Sequence, residues 1–317
     1  MKVIVTGGTG MIGRALSRKL LAKHNDVYVL SRDPDKHRGK VLNGVQVVKW
    51  DANTGDGWYN LIDDNTSIVN LAGASIAGEH LVPPQRWTEK RKTLIRDSRV
   101  EAGAAVVDAV NRADTKPRVV IQSSGSNYYG VNNGDERITE DHPAGNDFLA
   151  NVCIAWERST QAVEDMGVRR CVTRSGIVLS MRGGALPPMV FPFRFFAGGP
   201  IGNGEQWYSW IHMDDEANSI MYLLENEDAS GVYNVAAPTP VPQHVMAKAI
   251  GKAMGRPAFF PTPDIFFKVI FGELSTTVLD GQRIIPARLQ ESGFEFKFPT
   301  IEPAVDDLIN NDDGVRA

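Results

Sequence analysis

The opening residues, MKVIVTGGTGMIG, restrict what this 317-residue chain can fold into more than any other stretch. A short apolar run enters a turn with glycines at 7, 10 and 13, and an apolar-periodic segment follows at once. Gly7 permits a tight turn, Gly10 lets backbone N–H groups approach an anion, and Gly13 lets a helix pack closely on a strand. The N-terminus of the helix then faces the anion with unsatisfied N–H groups and the positive end of its dipole. A glycine pattern alone carries little information. Placed between an N-terminal strand and an amphipathic helix, it predicts a dinucleotide-binding unit, with Gly7, Gly10, Met11, Ile12 and Gly13 against the pyrophosphate.

The first half continues that pattern. Strands are expected at 2–7, 26–32, 45–51, 67–73, 118–124 and 169–175, and helices at Ile12–Lys23, Arg86–Arg112 and Phe148–Met166. Several of the strands are apolar throughout, as parallel strands covered on both faces are. The fold class is therefore α/β: a doubly wound parallel sheet, NAD(P)-binding and Rossmann-like, with a smaller C-terminal lobe. Past about residue 180 the chain turns rich in Gly, Pro and Phe. We expect a dinucleotide-binding domain over 1–236, with residues about 180–205 reaching into the cleft, and a small substrate-side domain over 237–317. The tail from 310 to 317 is expected to fray.

Cofactor choice is set where the second strand ends. NAD sites carry an acidic residue there for the ribose hydroxyl. Here the residues are Ser31 and Arg32, a hydroxyl and a guanidinium suited to a 2′-phosphate. NADP is expected, and Asp33 keeps NAD as the alternative.

A net charge of −4 gives no pull toward nucleic acid or an anionic membrane, and the basic run Arg86–Arg99 reads as a solvated helix face, with contact to a phosphate or an acidic partner as the alternative. No apolar run reaches the roughly 18 residues of a membrane span, and no signal peptide precedes the first strand. The expected setting is cytoplasmic, with a small-molecule substrate as partner, no nucleic acid and no membrane. Cys153 and Cys171 lie in apolar periodic segments, with no disulfide framework or metal-ligand spacing around them.

With these residues in place, the chain resembles the extended (atypical) short-chain dehydrogenase/reductase superfamily. More narrowly it resembles the YfcH-like NAD-dependent epimerase/dehydratase family with its small C-terminal domain. The resemblance rests on TGGTGMIG, VNLAGASI (69–76), RW with SRV (86–87 and 98–100), SSGSNYYG (123–130), FLANVCIAWE (148–157), RSGIVLS (174–180), SWIHMDD (209–215) and GQRIIPARLQESGFEFKFPT. It implies that Asp51 contacts adenine and that Asn70, Leu71, Ala72 and Gly73 line the cofactor. It further implies that Ser123 and Ser124 flank the nicotinamide ribose, and that Arg174 to Val178 bound the nicotinamide end.

The chemistry of that superfamily typically uses Ser or Thr, Tyr and Lys, the lysine lowering the tyrosine's pKa so that it can exchange a proton with substrate. Tyrosine is absent between Tyr129 and Tyr208, and lysine between Lys116 and Lys248, so no Tyr-x-x-x-Lys exists in the relevant helix at any register. The family pattern puts Leu149 at the tyrosine position and Cys153 at the lysine position, and Gly125, between Ser124 and Ser126, where the serine is expected. Tyr208 stands where epimerases acting on nucleotide sugars carry a phosphate-binding arginine, with Arg194 or Arg182 as substitutes. The candidates for acid/base work are Glu157, Tyr129, Ser124 and Cys153, with Tyr128 and His212 behind them. An enzyme acting on a small carbonyl or alcohol, sugar-derived or not, is favoured. The alternative is an NADP(H)-binding sensor or interaction protein with little turnover.

Overall fold

The computed structural model describes residues 1–37, 41–78, 85–131 and 134–311. Most of the tail expected to fray lies outside them. In chain order the elements are β1 (Lys2–Thr6), α1 (Met11–Ala22), β2 (Asp26–Ser31), α2 (Pro34–His37), β3 (Val45–Lys49), β4 (Thr66–Asn70) and α3 (Glu89–Arg112). There follow β5 (Val119–Gly125), β6 (Arg137–Ile138), α4 (Phe148–Ser159), α5 (Ala162–Asp165), β7 (Arg169–Ser175), β8 (Ile177–Leu179) and α6 (Leu186–Val190). Then come β9 (Trp207–Tyr208), β10 (Trp210–His212), α7 (Met213–Glu225), β11 (Gly231–Val235), α8 (Gln243–Met254) and α9 (Asp264–Phe271).

Seven parallel strands form the main sheet in the order β3-β2-β1-β4-β5-β7-β11. The period of two along each strand sorts its side chains onto two cores. Val3, Val5, Val69 and Ile121 face Leu16 and Leu20 of α1 and Ile220 of α7. Ile4, Ile68 and Val120 face Ala102, Val106 and Ala109 of α3 on the other side. All of these side chains are fully buried, as continuously apolar strands require. Strand order reverses direction between β1 and β4, which opens a crevice at their carboxyl ends.

The expected strands and helices are present with small shifts at their ends, with two differences. The expected helix over Phe148–Met166 breaks after Ser159, where Thr160 leaves helical geometry at φ −110°, ψ 4°, before α5 begins. The stretch after residue 180, expected as loop, contains α6 and a 3-10 turn at Phe191–Phe195.

A second core, in the smaller lobe, is built from both sides of residue 236. Leu179, Leu186, Phe193, Tyr208 and Trp210 pack against Met246 and Ile250 of α8, Phe298, Ile301 and Leu308. No helix among the described residues is long and apolar enough to cross a membrane.

Candidate functional site

The glycine turn is built to take something against its backbone. Gly7 has φ +64°, and a Cβ there would stand 2.8 Å from the Leu71 carbonyl. A Cβ on Gly13 would stand 2.4 Å from the Gly8 Cα, so α1 and the turn pack too closely for any side chain. α1 has no side-chain N-cap and no acidic residue in its first turn, so its leading N–H groups are left for an anion. Gly7, Gly10, Met11, Ile12 and Gly13 line one end of a cavity of about 700 Å³. From there the cavity runs past Leu71, Ser123, Ser124 and Gly125, then past Ser175 to Val178, and into the smaller lobe. These residues fit a dinucleotide: a cradle that a Cβ would fill, with a cavity continuing from it.

A second hollow of about 230 Å³ lies off the end of β2, lined by Thr9, Arg14, Lys36, His37 and Val41. Three of those five side chains are basic. Arg32 is exposed on the same turn, and Ser31 is buried, its Oγ accepting from the Asp33 amide at 3.2 Å. Asp51 does not line either cavity. Its carboxylate accepts from the amides of Asn53 and Thr54 and from the Thr54 hydroxyl, and the Asn53 amide foremost holds its pKa below the usual range. Its local work is to close a turn. Ala72 and Gly73 likewise do not line the cavity; Ala72 N donates to Thr6 Oγ1.

Arg174, Glu157 and Tyr129 form a buried cluster next to the cavity and not in its wall. Glu157 on α4 takes a two-point contact from Arg174 on β7, Nε to Oε1 at 2.8 Å and Nη2 to Oε2 at 2.9 Å, with side chains only 12% and 5% exposed. Arg174 Nη1 donates to the Tyr129 hydroxyl at 3.1 Å, and that hydroxyl donates to Asn234 at 2.6 Å. The guanidinium also lies 3.3 Å from the centre of the Tyr128 ring. Burial pushes Tyr129 up to about 12, the wrong direction for a proton donor near neutral pH. Arg174, Glu157 and Tyr129 face each other, because a desolvated guanidinium needs its carboxylate and acceptors close by.

Ser123, Ser124, Leu149, Cys153 and Trp156 do line the cavity. Burial pushes the Cys153 thiol up to about 11 and keeps it protonated. Two lining serines are each backed by a carboxyl group. Ser124 Oγ lies 2.7 Å from Glu157, and Ser175 Oγ lies 2.8 Å from Glu216. Glu216 is fully buried on α7, its second oxygen has no partner, and burial pushes its pKa up to about 7. His212 caps α7, its Nδ1 accepting from the Asp214 amide at 3.0 Å, and its ring stacks on Phe298 at 3.9 Å. Tyr208 is fully buried and donates to the Val278 carbonyl at 2.8 Å; neither Arg182 nor Arg194 lines the cavity.

The residue that the sequence reading missed is Arg99. It lines the cavity with its guanidinium 4.9 Å from the Trp156 ring, and Nη1 donates to the carbonyls of Ala74 and Ile95. Nε and Nη2 have no hydrogen-bond partner among the described residues, and no carboxylate pairs with it there. Gly73 makes room for it: a Cβ would stand 3.0 Å from the Arg99 Cγ and Cζ. Its charge acts on Cys153, the position at which the family pattern has lysine. The signal was in the periodicity. Ile95, Arg99, Ala102, Val106 and Ala109 share one helical stripe, and all but Arg99 are buried apolar residues.

Residues 3–236 match the NAD dependent epimerase/dehydratase family, and residues 262–308 match a domain of unknown function, DUF1731. The chain is 38% identical to the epimerase family protein SDR39U1 homolog, chloroplastic, of Arabidopsis thaliana, over 96% of this chain and 86% of that one. It is 37% identical to the epimerase family protein YfhF of Bacillus subtilis, over 98% of each. A crystal structure of human epimerase family protein SDR39U1 with NADPH is 33% identical, covers 98% of this chain and 100% of that one, and superposes with a TM-score of 0.87. Thermus thermophilus UDP-glucose 4-epimerase, at 19% identity and a TM-score of 0.75, shares the fold. The glycine cradle and these matches agree: the chain is a nicotinamide-dinucleotide-binding member of the NAD-dependent epimerase/dehydratase family, the extended short-chain dehydrogenase/reductases.

Proposed function

We propose that this protein is an NADP(H)-dependent oxidoreductase that moves a hydride between the nicotinamide and the carbonyl or alcohol carbon of a small substrate. One observation carries the reading: a single cavity runs from the glycine cradle to the second lobe, with the guanidinium of Arg99, only partly paired among the described residues, in its wall. The basic hollow of Arg14, Lys36 and His37 beside the cradle supports NADP over NAD, since it suits the extra phosphate. The human relative described with NADPH points the same way.

The glycine turn and the start of α1 hold the pyrophosphate. Arg99 would hold the nicotinamide ribose, the task that a lysine on α4 performs elsewhere in the superfamily. The reduced nicotinamide, when bound, supplies the hydride. Proton exchange at the substrate oxygen falls to Ser124, which lines the cavity and is hydrogen-bonded to Glu157, and to Ser175, backed by Glu216. A hydroxyl between cavity and carboxyl can pass a proton without the carboxyl touching substrate.

A second reading, cofactor binding without turnover, is favoured by the capture of Glu157 and Tyr129 in the Arg174 cluster. Single-turnover oxidation of bound NADPH across aldehydes, ketones and sugar nucleotides separates the two. Oxidation by at least one class supports the enzyme. Tight NADPH binding with no oxidation by any of them abandons the hydride-transfer reading for the binding one.

A further inference from the structure

We propose that the arm of the cavity beyond Ser175–Val178 takes the apolar, uncharged body of the substrate, an aliphatic or aryl group bearing the reacting oxygen, and not a nucleoside diphosphate sugar. This names the substrate class for the hydride-transfer reading and rests on it.

The arm's walls include Met189, Phe193, Ile250, Phe267, Phe271 and Leu274. Among the described residues lining the whole cavity, only Arg99 and Asp280 carry charge. Arg99 stands at the cofactor end, beside Gly73 and Trp156. A diphosphate entering here would lose its hydration with no cation of the arm's described lining to replace it. Tyr208, at the place of the phosphate-binding arginine, is spent on the Val278 carbonyl. Several of the arm's polar groups are also engaged with the chain itself. Gln243 accepts from the Ile201 amide, Gln282 donates to the Gly130 carbonyl, and Thr276 and Thr277 donate to the carbonyls of Glu273 and Leu274. These bonds leave fewer donors and acceptors for a polar ligand.

The outer wall reinforces this. α9 buries none of its eight residues, and Ile265, Phe266, Val269 and Ile270 are all at least half exposed. Phe267 and Phe271 turn into the arm, their rings stacked with centroids 5.6 Å apart and planes 21° apart. The Phe267–Phe271 side of that helix gains from an apolar ligand beneath it.

The test is calorimetric titration of the full-length protein, saturated with NADP⁺, with n-alkanols from butanol to dodecanol and separately with UDP-glucose. Affinity should rise about three- to fourfold per added methylene until the arm is full, as burial of each CH₂ in a fitted apolar site dictates, and UDP-glucose should give no heat. Phe271→Ser and, independently, Phe267→Ser should flatten the series while leaving NADPH affinity unchanged. Affinity independent of chain length, or UDP-glucose binding more tightly than octanol, overturns the proposal. The underlying reading fails separately. Chain-length-dependent binding with no NADPH oxidation by the matching alkanals leaves the apolar arm standing and removes hydride transfer. Oxidation by sugar nucleotides alone does the reverse.

Discussion

A guanidinium that leans on an indole and spends one nitrogen on two carbonyls is held in place while part of its hydrogen-bonding capacity is left over. Arg99 is in that condition, and loss of hydration lowers its pKa from the ordinary arginine value, with no carboxylate paired to it among the described residues. Replacing it with Gln keeps the shape and removes the charge. Charge-assisted hydrogen bonds contribute about 1.5–3 kcal/mol, so NADPH affinity should fall roughly ten- to hundredfold in Arg99→Gln and less in Arg99→Lys, measured by the fluorescence of bound NADPH. Unchanged affinity in Arg99→Gln would remove Arg99 from cofactor binding. The glycines make a sharper case. Gly13→Ala puts a methyl 2.4 Å from the Gly8 Cα, a contact that only movement of the turn can relieve. NADPH binding should be lost even if the fold survives, and circular dichroism alongside the binding titration separates the two.

Among the elements, α4 shows what sequence could and could not give. Its N-cap, Asp147, accepting from the Ala150 amide, is the kind of start signal that a sequence displays, and its apolar stripe marks the buried face. The absence of Tyr-x-x-x-Lys was also legible, from residue counts alone. The partner of Glu157 was not, because Arg174 reaches it from a different element, across a sheet register that sequence does not encode. Arg99 was hidden for the opposite reason: it lies in a basic run whose other members are mostly solvated, and only the phase of the helix singles it out. The Glu157–Arg174 pair fastens α4 to β7. Glu157→Ala would strand a guanidinium that is 5% exposed, a change that costs about 3–5 kcal/mol for buried pairs. The thermal midpoint should drop by several degrees, while a chemical role confined to Ser124 would leave it unmoved.

For the whole molecule, the consequential group is Glu216, set at the start of α7 where the sheet meets the smaller lobe. Among the described residues only Ser175 bonds to its carboxyl group, and burial raises its pKa from the ordinary 4.5 to about 7. Below about pH 4.5 it is protonated in folded and unfolded chains alike, and burial carries no charge penalty. Between 4.5 and about 7 the unfolded chain gives up its proton first, so stability falls as pH rises. Above 7 both states are ionised and the penalty levels off at about 3 kcal/mol. Glu216→Gln should therefore be more stable than the parent at pH 8 by about that amount and equal to it near pH 4.5, read from urea midpoints. The same difference at both pH values would mean that Glu216 is ionised in the fold throughout.

The interleaved core of the smaller lobe bears on how the chain is made. Leu179, Leu186, Phe193, Tyr208 and Trp210 leave the ribosome well before Ile301 and Leu308, which complete their cover. At typical synthesis speeds, the roughly one hundred residues between them take about 5–20 s to emerge. Once β11 and α8 have emerged, the nascent chain carries all seven strands of the main sheet and, beside them, an apolar face still lacking its last cover. Among all stages in the protein's life, that is the one at which a chaperone has most to hold.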